Sequence, residues 1–198
     1  KCAILFLLIQ MEINCVYRKK SIEPSIFYDF LLFDTNELKL SIDNSTSLYS
    51  IYSSDDDNKR VESEFKNFFK FLPPKISKFE KDEKVLVFWV RKNSYFVLGE
   101  IDYEKFNQSF KNMSSITIQT GGWITFNLSG NSINLLLEKL ISVDLDKFTS
   151  KTVIRTSINK TSCFVLCNSQ FQNYKILCPI SFYESMKSRL VSLIRLIY

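Results

Sequence analysis

The stretch that decides the fold is VLVFWVRKNSYFVLGEI, residues 85–101 of the 198-residue chain. Two apolar runs rich in valine and aromatic residues lie on either side of residues 91–94, and this pattern predicts a β-hairpin. We place Val90 opposite Tyr95, and in that register both faces of the hairpin are apolar. Strands with two apolar faces are typical of a sheet centre that is covered on both sides. The hairpin is therefore the predicted folding core, and Trp89 is expected to be structural.

Outward from this hairpin, strand-like runs alternate with helix-like runs along the chain. The other predicted strands are 12–17, 37–43, 48–53, 115–119, 123–128, 152–156, 162–168 and 174–178, and the predicted helices are 61–72, 103–113, 132–143 and 182–197. The loops between neighbouring strands are short, which favours antiparallel pairing because parallel neighbours need longer crossovers. The prediction is an α+β fold: a mostly antiparallel sheet built from successive hairpins, with three to four helices packed mainly on one face.

The composition indicates one ordinary globular domain. Apolar residues make up 45% of the chain and charged residues 24%. The apolar share is sufficient for a buried core, and the composition as a whole is not that of a chain with a long disordered tail. We expect residues 11–198 to form a single α+β domain and residues 1–10 to be a peripheral segment. The longest apolar run falls far short of the roughly 20 residues needed to cross a bilayer. A cytoplasmic protein without a membrane span is therefore expected.

The chain contains no histidine, and this absence removes much of the usual chemistry of enzymes. Catalytic triads, imidazole general bases and imidazole metal ligands are all excluded. Three of the five cysteines, Cys163, Cys167 and Cys178, lie close enough in sequence to suggest zinc. Four residues along a strand span roughly 13 Å, too far for Cys163 and Cys167 to bind one ion. We expect these cysteines to be small buried hydrophobes and predict no metal and no cofactor.

The segment around Gly121 and Gly122 provides the main candidate binding surface. A three-residue loop, 120–122, pairs Ile118 with Ile124, places Gly122 at a left-handed position and sorts the two strands into an apolar and a polar face. The polar face carries the predicted binding residues Thr117, Gln119, Trp123, Thr125 and Asn127. Tryptophan on a polar face is typical of a contact surface, although Trp123 packed beneath a neighbouring element is the competing interpretation.

Two further functions are left open by the sequence. Basic residues near predicted strand ends would suit a nucleic-acid surface, and the net charge of +5 is compatible with one. These basic residues are Arg91, Lys92, Lys151, Arg155 and Lys160. Alternatively, Asp29, Glu37 and Lys39 follow the order of acidic and basic groups in metal-dependent nucleases or phosphodiesterases.

The leading functional hypothesis is a non-catalytic domain that binds another macromolecule, of the inhibitor or adaptor type. It rests on the missing histidine, on ionisable residues scattered along the chain, and on the polar face of the predicted hairpin. The expected partner is another protein, with nucleic acid as the second option. The sequence points away from an enzyme without closing that question, and it gives no oligomeric state.

Overall fold

The computed structural model describes residues 30–34, 37–43 and 46–197. These residues form eleven β-strands and four α-helices, and every strand pairing is antiparallel. The predicted α+β class with antiparallel pairing is confirmed. The predicted peripheral segment, residues 1–10, and the predicted strand 12–17 lie outside the described residues, so the proposed domain boundaries stay a prediction.

The strands are divided between two sheets. The six-stranded sheet contains β1 (Phe30–Asp34), β2 (Lys39–Asp43), β8 (Trp123–Ser129), β9 (Thr152–Ile158), β10 (Thr161–Ser169) and β11 (Asn173–Pro179), in the order β1-β2-β8-β11-β10-β9. The five-stranded sheet contains β3 (Leu48–Tyr52), β4 (Phe79–Lys81), β5 (Val85–Arg91), β6 (Ser94–Gly99) and β7 (Ser115–Ile118), in the order β4-β5-β6-β3-β7. The helices are α1 (Asn58–Phe68), α2 (Tyr103–Ser109), α3 (Ile133–Leu140) and α4 (Tyr183–Ile197), and a 3₁₀ turn, Ile180–Phe182, precedes α4.

Each sheet carries a pair of helices on its outer face. Helices α3 and α4 bury Leu136 and Leu190 against the six-stranded sheet. Helices α1 and α2 bury Phe65 and Phe106 against the five-stranded sheet. The apolar residues recur at helical spacing, so each helix has one apolar side to bury. Among the described residues, no helix combines the length and apolarity that crossing a bilayer requires.

The inner faces of the two sheets pack directly on each other. Phe88 and Phe96 of the five-stranded sheet meet Phe164 of the six-stranded sheet, with ring centroids 5.3 Å and 5.7 Å from Phe164. The architecture is therefore four layers, helices–sheet–sheet–helices. Both sheets are covered on two faces in their central strands, which explains why residues 85–101 are apolar on both sides.

The central hairpin has a different register from the one predicted. It is the β5–β6 pair and lies mid-sheet as expected, but Trp89, not Val90, is the residue opposite Tyr95. A β-bulge between Trp89 and Arg91 adds one residue to β5. Such a bulge shifts the alternation by one position. As a result, Phe88 pairs with Phe96 on the inner face.

Two of the expected hairpins do not form, because the chain changes sheets where they were predicted. Strand β2 belongs to the six-stranded sheet and β3 to the five-stranded sheet, and β7 and β8 are separated in the same way. The predicted pairing of Ile118 with Ile124 is therefore wrong. In the loop between β7 and β8 the left-handed residue is Gly121, with φ +81°, rather than Gly122. A short loop is compatible with a crossing between stacked sheets as well as with a hairpin.

A seam joins one edge of each sheet. Lys78, just before β4, forms an isolated antiparallel bridge with Thr152 at the start of β9. The backbone N–H of Phe79 donates to the carbonyl of Lys151 at 3.2 Å, and Val153 N–H donates to the carbonyl of Ser77 at 2.9 Å. The β4 edge and the β9 edge are therefore connected through main-chain hydrogen bonds.

Helix α2 begins at a residue that the sequence identified as its N-cap. The Asp102 carboxylate accepts from the backbone N–H of Lys105 at 3.2 Å. We expect Asp102→Ala to lower the melting temperature by a few degrees, because an orphaned helix N–H loses its acceptor. Thermal unfolding followed by circular dichroism measures the change, and Asp102→Asn, which keeps an acceptor, serves as the control.

The same N-cap, Asp102, predicts the direction in which the stability of the protein changes with pH. Hydrogen bonds from Lys105 lower the pKa of the Asp102 carboxyl below its ordinary value. A lowered folded-state pKa stabilises the protein above the unfolded pKa, and this contribution is lost as the pH falls through the folded pKa. The difference in melting temperature between the wild type and Asp102→Asn should therefore shrink in acid. A difference that grows as the pH falls would contradict the assignment.

Candidate functional site

The structure divides the five predicted binding residues between the two sheets. Thr117 lies on β7 and is exposed, and Gln119 follows that strand, where its amide donates to the Ser50 hydroxyl at 3.4 Å. Trp123, Thr125 and Asn127 lie on β8 of the other sheet. The five residues therefore do not form the single strand-pair face that the sequence suggested, and their role in binding stays a prediction.

Trp123 packs between the sheets. Its ring lies 5.5 Å from the Phe96 centroid and 5.6 Å from the Phe164 centroid, and the side chain is half-buried. These contacts agree with the competing interpretation, in which Trp123 packs beneath a neighbouring element. Thr125 is 4% exposed, so little of its surface is left for a partner.

Asn127 belongs to a polar region of the inner face of the six-stranded sheet. Its carbonyl oxygen accepts from the Lys175 ammonium at 2.6 Å across the β8–β11 pair. Ser41 of β2 is paired with Asn127 on the other side. In antiparallel strands directly paired side chains share a face, so the inner face becomes polar towards β2.

A cleft of about 280 Å³ opens beside Lys175, where the end of β2 faces the turn between β4 and β5. Its charged lining residues are Asp43, Asp82 and Glu83 with Lys81, Lys84 and Lys175. The three acidic residues and the three lysines carry equal and opposite charge, so the cleft favours neither an anion nor a cation. The Asp82 carboxylate also accepts from two backbone N–H groups of its own turn, at 2.7 Å and 2.8 Å. We therefore assign the cleft no ligand.

The free edge of β7 was missed as a candidate by the sequence analysis. Among the residues that the structure describes, strand β7 pairs only with β3, and Ile118 at its end is 57% exposed. The Gln119 N–H donates to the Leu48 carbonyl at 2.8 Å, so it points towards β3. Main-chain groups of successive strand residues point to alternate sides, which directs those of Ile116 and Ile118 away from β3. The missed signal was the run Ser115–Ile118, which contains no charge and no proline.

The basic residues of the nucleic-acid hypothesis are spread over both sheets. Lys92 pairs with Asp55 at 2.7 Å, and the hydrogen bonds from Lys92 and Asn93 lower the pKa of the Asp55 carboxyl. Arg91, next to Lys92, lies 5.7 Å from the Tyr52 ring centroid. Both lie at the turn between β5 and β6 of the five-stranded sheet, whereas β9 belongs to the six-stranded sheet.

The other three basic residues surround β9. Lys151 precedes the strand and pairs with Glu80 at 2.9 Å, and Arg155 lies 5.6 Å from the Phe164 ring centroid. Lys160 follows the strand, so it is roughly 20 Å from Lys151 at the usual rise per residue. The structure does not bring the five basic residues together, and a nucleic-acid surface stays a prediction.

The residues of the nuclease hypothesis are only partly described. Asp29 lies outside the described residues. The Glu37 carboxylate accepts from the Ser132 hydroxyl at 2.6 Å, next to the start of α3, and Lys39 lies 3.8 Å from Asp34. Within the described part of the chain, no three histidine, cysteine or acidic residues lie close enough together to hold a metal ion. Glu37 thus contacts a helix start, and the nuclease hypothesis stays untested.

The three cysteines of β10 and β11 are fully buried. Cys163, Cys167 and Cys178 all contribute to the core under α3 and α4, as the sequence predicted. The Cys163 thiol, together with burial, raises the pKa of Cys178, and burial raises the pKa of Cys167. Both of these groups are therefore protonated thiols at neutral pH, which makes them poor nucleophiles.

Comparison with known proteins shows a shared fold. No protein-family model matches the sequence, and no curated protein matches it. Among solved structures, the chain is similar to a chain of the heterotetrameric sarcosine oxidase from Corynebacterium sp. U-96, with a TM-score of 0.71 and 14% identity over 82% of this chain and 86% of that chain. It is also similar to the glycine cleavage system aminomethyltransferase T from Bartonella henselae, with a TM-score of 0.57 and 12% identity over 78% of this chain. The match spans 45% of the aminomethyltransferase, and at these identities the likeness shows the architecture alone.

Proposed function

We propose that this protein is a non-catalytic protein-binding domain of the adaptor type, which takes an extended segment of its partner onto the free edge of β7. The observation that carries the proposal is the uncharged, exposed edge strand Ser115–Ile118. An extended segment adds to such an edge through main-chain hydrogen bonds, and side chains next to the edge select the sequence. Thr117 and Gln119, from the predicted binding set, lie at this edge.

The other sheet edges are less suited to receiving a strand. The edges of β4 and β9 are joined at the seam by the Lys78–Thr152 bridge. Strand β1 contains a β-bulge and ends in Asp34, which pairs with Lys39. Bulges and charged residues are features by which natural proteins protect an edge from strand addition. Strand β7 has neither feature, which supports it as the binding edge.

The comparison with sarcosine oxidase supports a role within an assembly. That protein is a heterotetramer, and this chain matches 86% of one of its chains. A chain of this size and fold therefore works beside other chains in that protein, and the proposal extends that arrangement to this one. A cytoplasmic location, expected from the sequence, stays a prediction.

The experiment replaces Ile118 and follows recovery of a defined partner. Ile118→Pro removes an N–H group that points away from β3, so it blocks strand addition while leaving the β3–β7 ladder intact. Proteins that co-purify with the tagged wild type from the native host are identified. The one recovered in the largest amount is then produced in pure form. Calorimetric titration should then show at least a tenfold loss of affinity for Ile118→Pro and for Ile118→Lys.

The matched control is Leu135→Lys, which changes another exposed leucine-sized side chain, on α3. This variant should bind the partner as the wild type does. Equal affinity for all variants, or a loss shared by Leu135→Lys, would remove the proposed surface. Binding of nucleic acid with a steep salt dependence and no protein partner would instead favour the rival hypothesis.

A further inference from the structure

A groove of about 540 Å³ lies at the seam between the sheets, on the opposite edge of the five-stranded sheet from β7. It is bounded by the segment that follows α1, by the residues around β4 and by the turn that leads into β9. Small-molecule sites usually have volumes of about 300 to 1,000 Å³, so the groove is large enough for a ligand of that class. The edge of β7 lies on the other side of this sheet, so ligand binding in the groove does not depend on strand addition at β7.

One wall of the groove is apolar. It is formed by Phe71, Leu72 and Pro73, which follow α1. Leu72 is 60% exposed, and neighbouring Ile76 is 74% exposed. Large aliphatic side chains with this exposure, grouped in one short segment beside a groove, indicate a surface that an apolar group can cover.

The other wall is cationic. Lys75, Lys78 and Lys151 line it together with Glu80, whose carboxylate pairs with Lys151 at 2.9 Å. Lys78 donates a hydrogen bond to the Thr152 hydroxyl at 3.3 Å. Within the described part of the chain, Lys75 and Lys78 form no ion pair. Two ammonium groups are thus available to an anion that enters the groove.

The backbone around the groove is held in an unfavourable conformation. Lys70, Ser77 and Lys151 all have left-handed φ angles, of 66°, 55° and 60°. Residues other than glycine, asparagine and aspartate seldom adopt this conformation, and it persists only where the surrounding structure imposes it. At Ser77 and Lys151 the main-chain bonds of the seam impose it. The backbone that carries the lysines of this wall is therefore held in one conformation.

We propose that this groove binds a free amphiphilic carboxylate, a small molecule with an apolar body and one anionic head group. The apolar body would lie against Phe71, Leu72 and Pro73, and the carboxylate would pair with Lys75 and Lys78. Burial of the apolar body supplies affinity, and the ammonium groups fix the orientation and select the charge. A neutral ligand of the same shape lacks the attraction to the two ammonium groups.

The experiment uses octanoate as the probe, with acetate and 1-octanol as the charge-only and apolar-only comparisons. Octanoate, titrated below its micelle concentration and followed by ¹⁵N–¹H NMR of the full chain, should shift amides around Lys78 and Lys151. Its affinity should exceed those of acetate and 1-octanol by at least tenfold each, because acetate lacks the apolar body and 1-octanol lacks the charge. Added salt should weaken octanoate binding and leave 1-octanol binding unchanged.

Variants decide whether the groove is the site. Lys78→Gln should weaken octanoate binding about tenfold, as expected for the loss of one charge contact. Lys111→Gln, an exposed lysine just before β7, should have no effect. Should Lys78→Gln fail to fold, Leu72→Gln, at an exposed position, tests the apolar wall instead. Equal binding of 1-octanol and octanoate, amide shifts centred elsewhere, or binding only to lipid vesicles would overturn the proposal.

Discussion

Replacing Phe164 with alanine should lower the free energy of unfolding by about 3 to 5 kcal/mol, the usual cost of truncating a buried phenylalanine. Phe164 is 3% exposed and lies on β10, where the two sheets meet. Its ring contacts Phe88, Phe96 and Trp123, with centroids 5.3 Å, 5.7 Å and 5.6 Å away. All three rings come from other strands, so the cavity would open in the layer between the two sheets.

The measurement is chemical denaturation, in which the midpoint should fall while the slope with denaturant stays the same. Phe182→Ala is the matched control, because Phe182 is also a phenylalanine but is 45% exposed. A surface substitution of this kind should change the free energy of unfolding by less than about 1 kcal/mol. A loss for Phe164→Ala that is no larger than that of the control would contradict the packing of the middle layer.

The local elements could be predicted from the sequence because their signals are local. Helical spacing of Val61 and Phe65 predicted α1, and Asp102 predicted the start of α2. Sheet membership is a different property, since it depends on contacts between residues far apart in the chain. The alternation in β8 shows which side chains are buried, but Ile124 can be buried against a helix as well as against Ile118. The sequence could therefore predict strands without predicting that they divide into two sheets.

The candidate site illustrates the same limit. In the sequence, Trp123 alternates in phase with polar residues, which predicts an exposed side chain. Its neighbours Phe96 and Phe164 lie on other strands, and they contact Trp123 only once the two sheets have packed together. The β7 edge was not predicted for the opposite reason. Ile118 is an aliphatic residue of the kind usually found in a core, but it is exposed because β7 lies at the edge of the sheet. The groove at the seam likewise depends on the approach of Lys78 to Thr152, which are 74 residues apart.

Gly130→Ala should lower the free energy of unfolding by about 3 kcal/mol or more. Gly130 follows β8 and has φ +134°, a conformation essentially restricted to glycine. An added Cβ would overlap the Glu37 carbonyl oxygen and lie 2.8 Å from the Leu38 Cα. Because these are main-chain atoms just before β2, they cannot move aside without disturbing the β2–β8 pairing.

Gly121→Ala separates the two causes of this cost. Gly121 also has a positive φ, +81°, but an added Cβ there meets no atom within 4 Å. It should therefore show only the conformational cost, about 1 kcal/mol for a residue in the left-handed region. Thermal and urea unfolding of the two variants, side by side, measure the difference that the overlap with residues 37–38 adds. Equal losses for the two variants would mean that the start of β2 yields freely, and the close approach of Gly130 to Glu37 would then have no role in holding β2 beside β8.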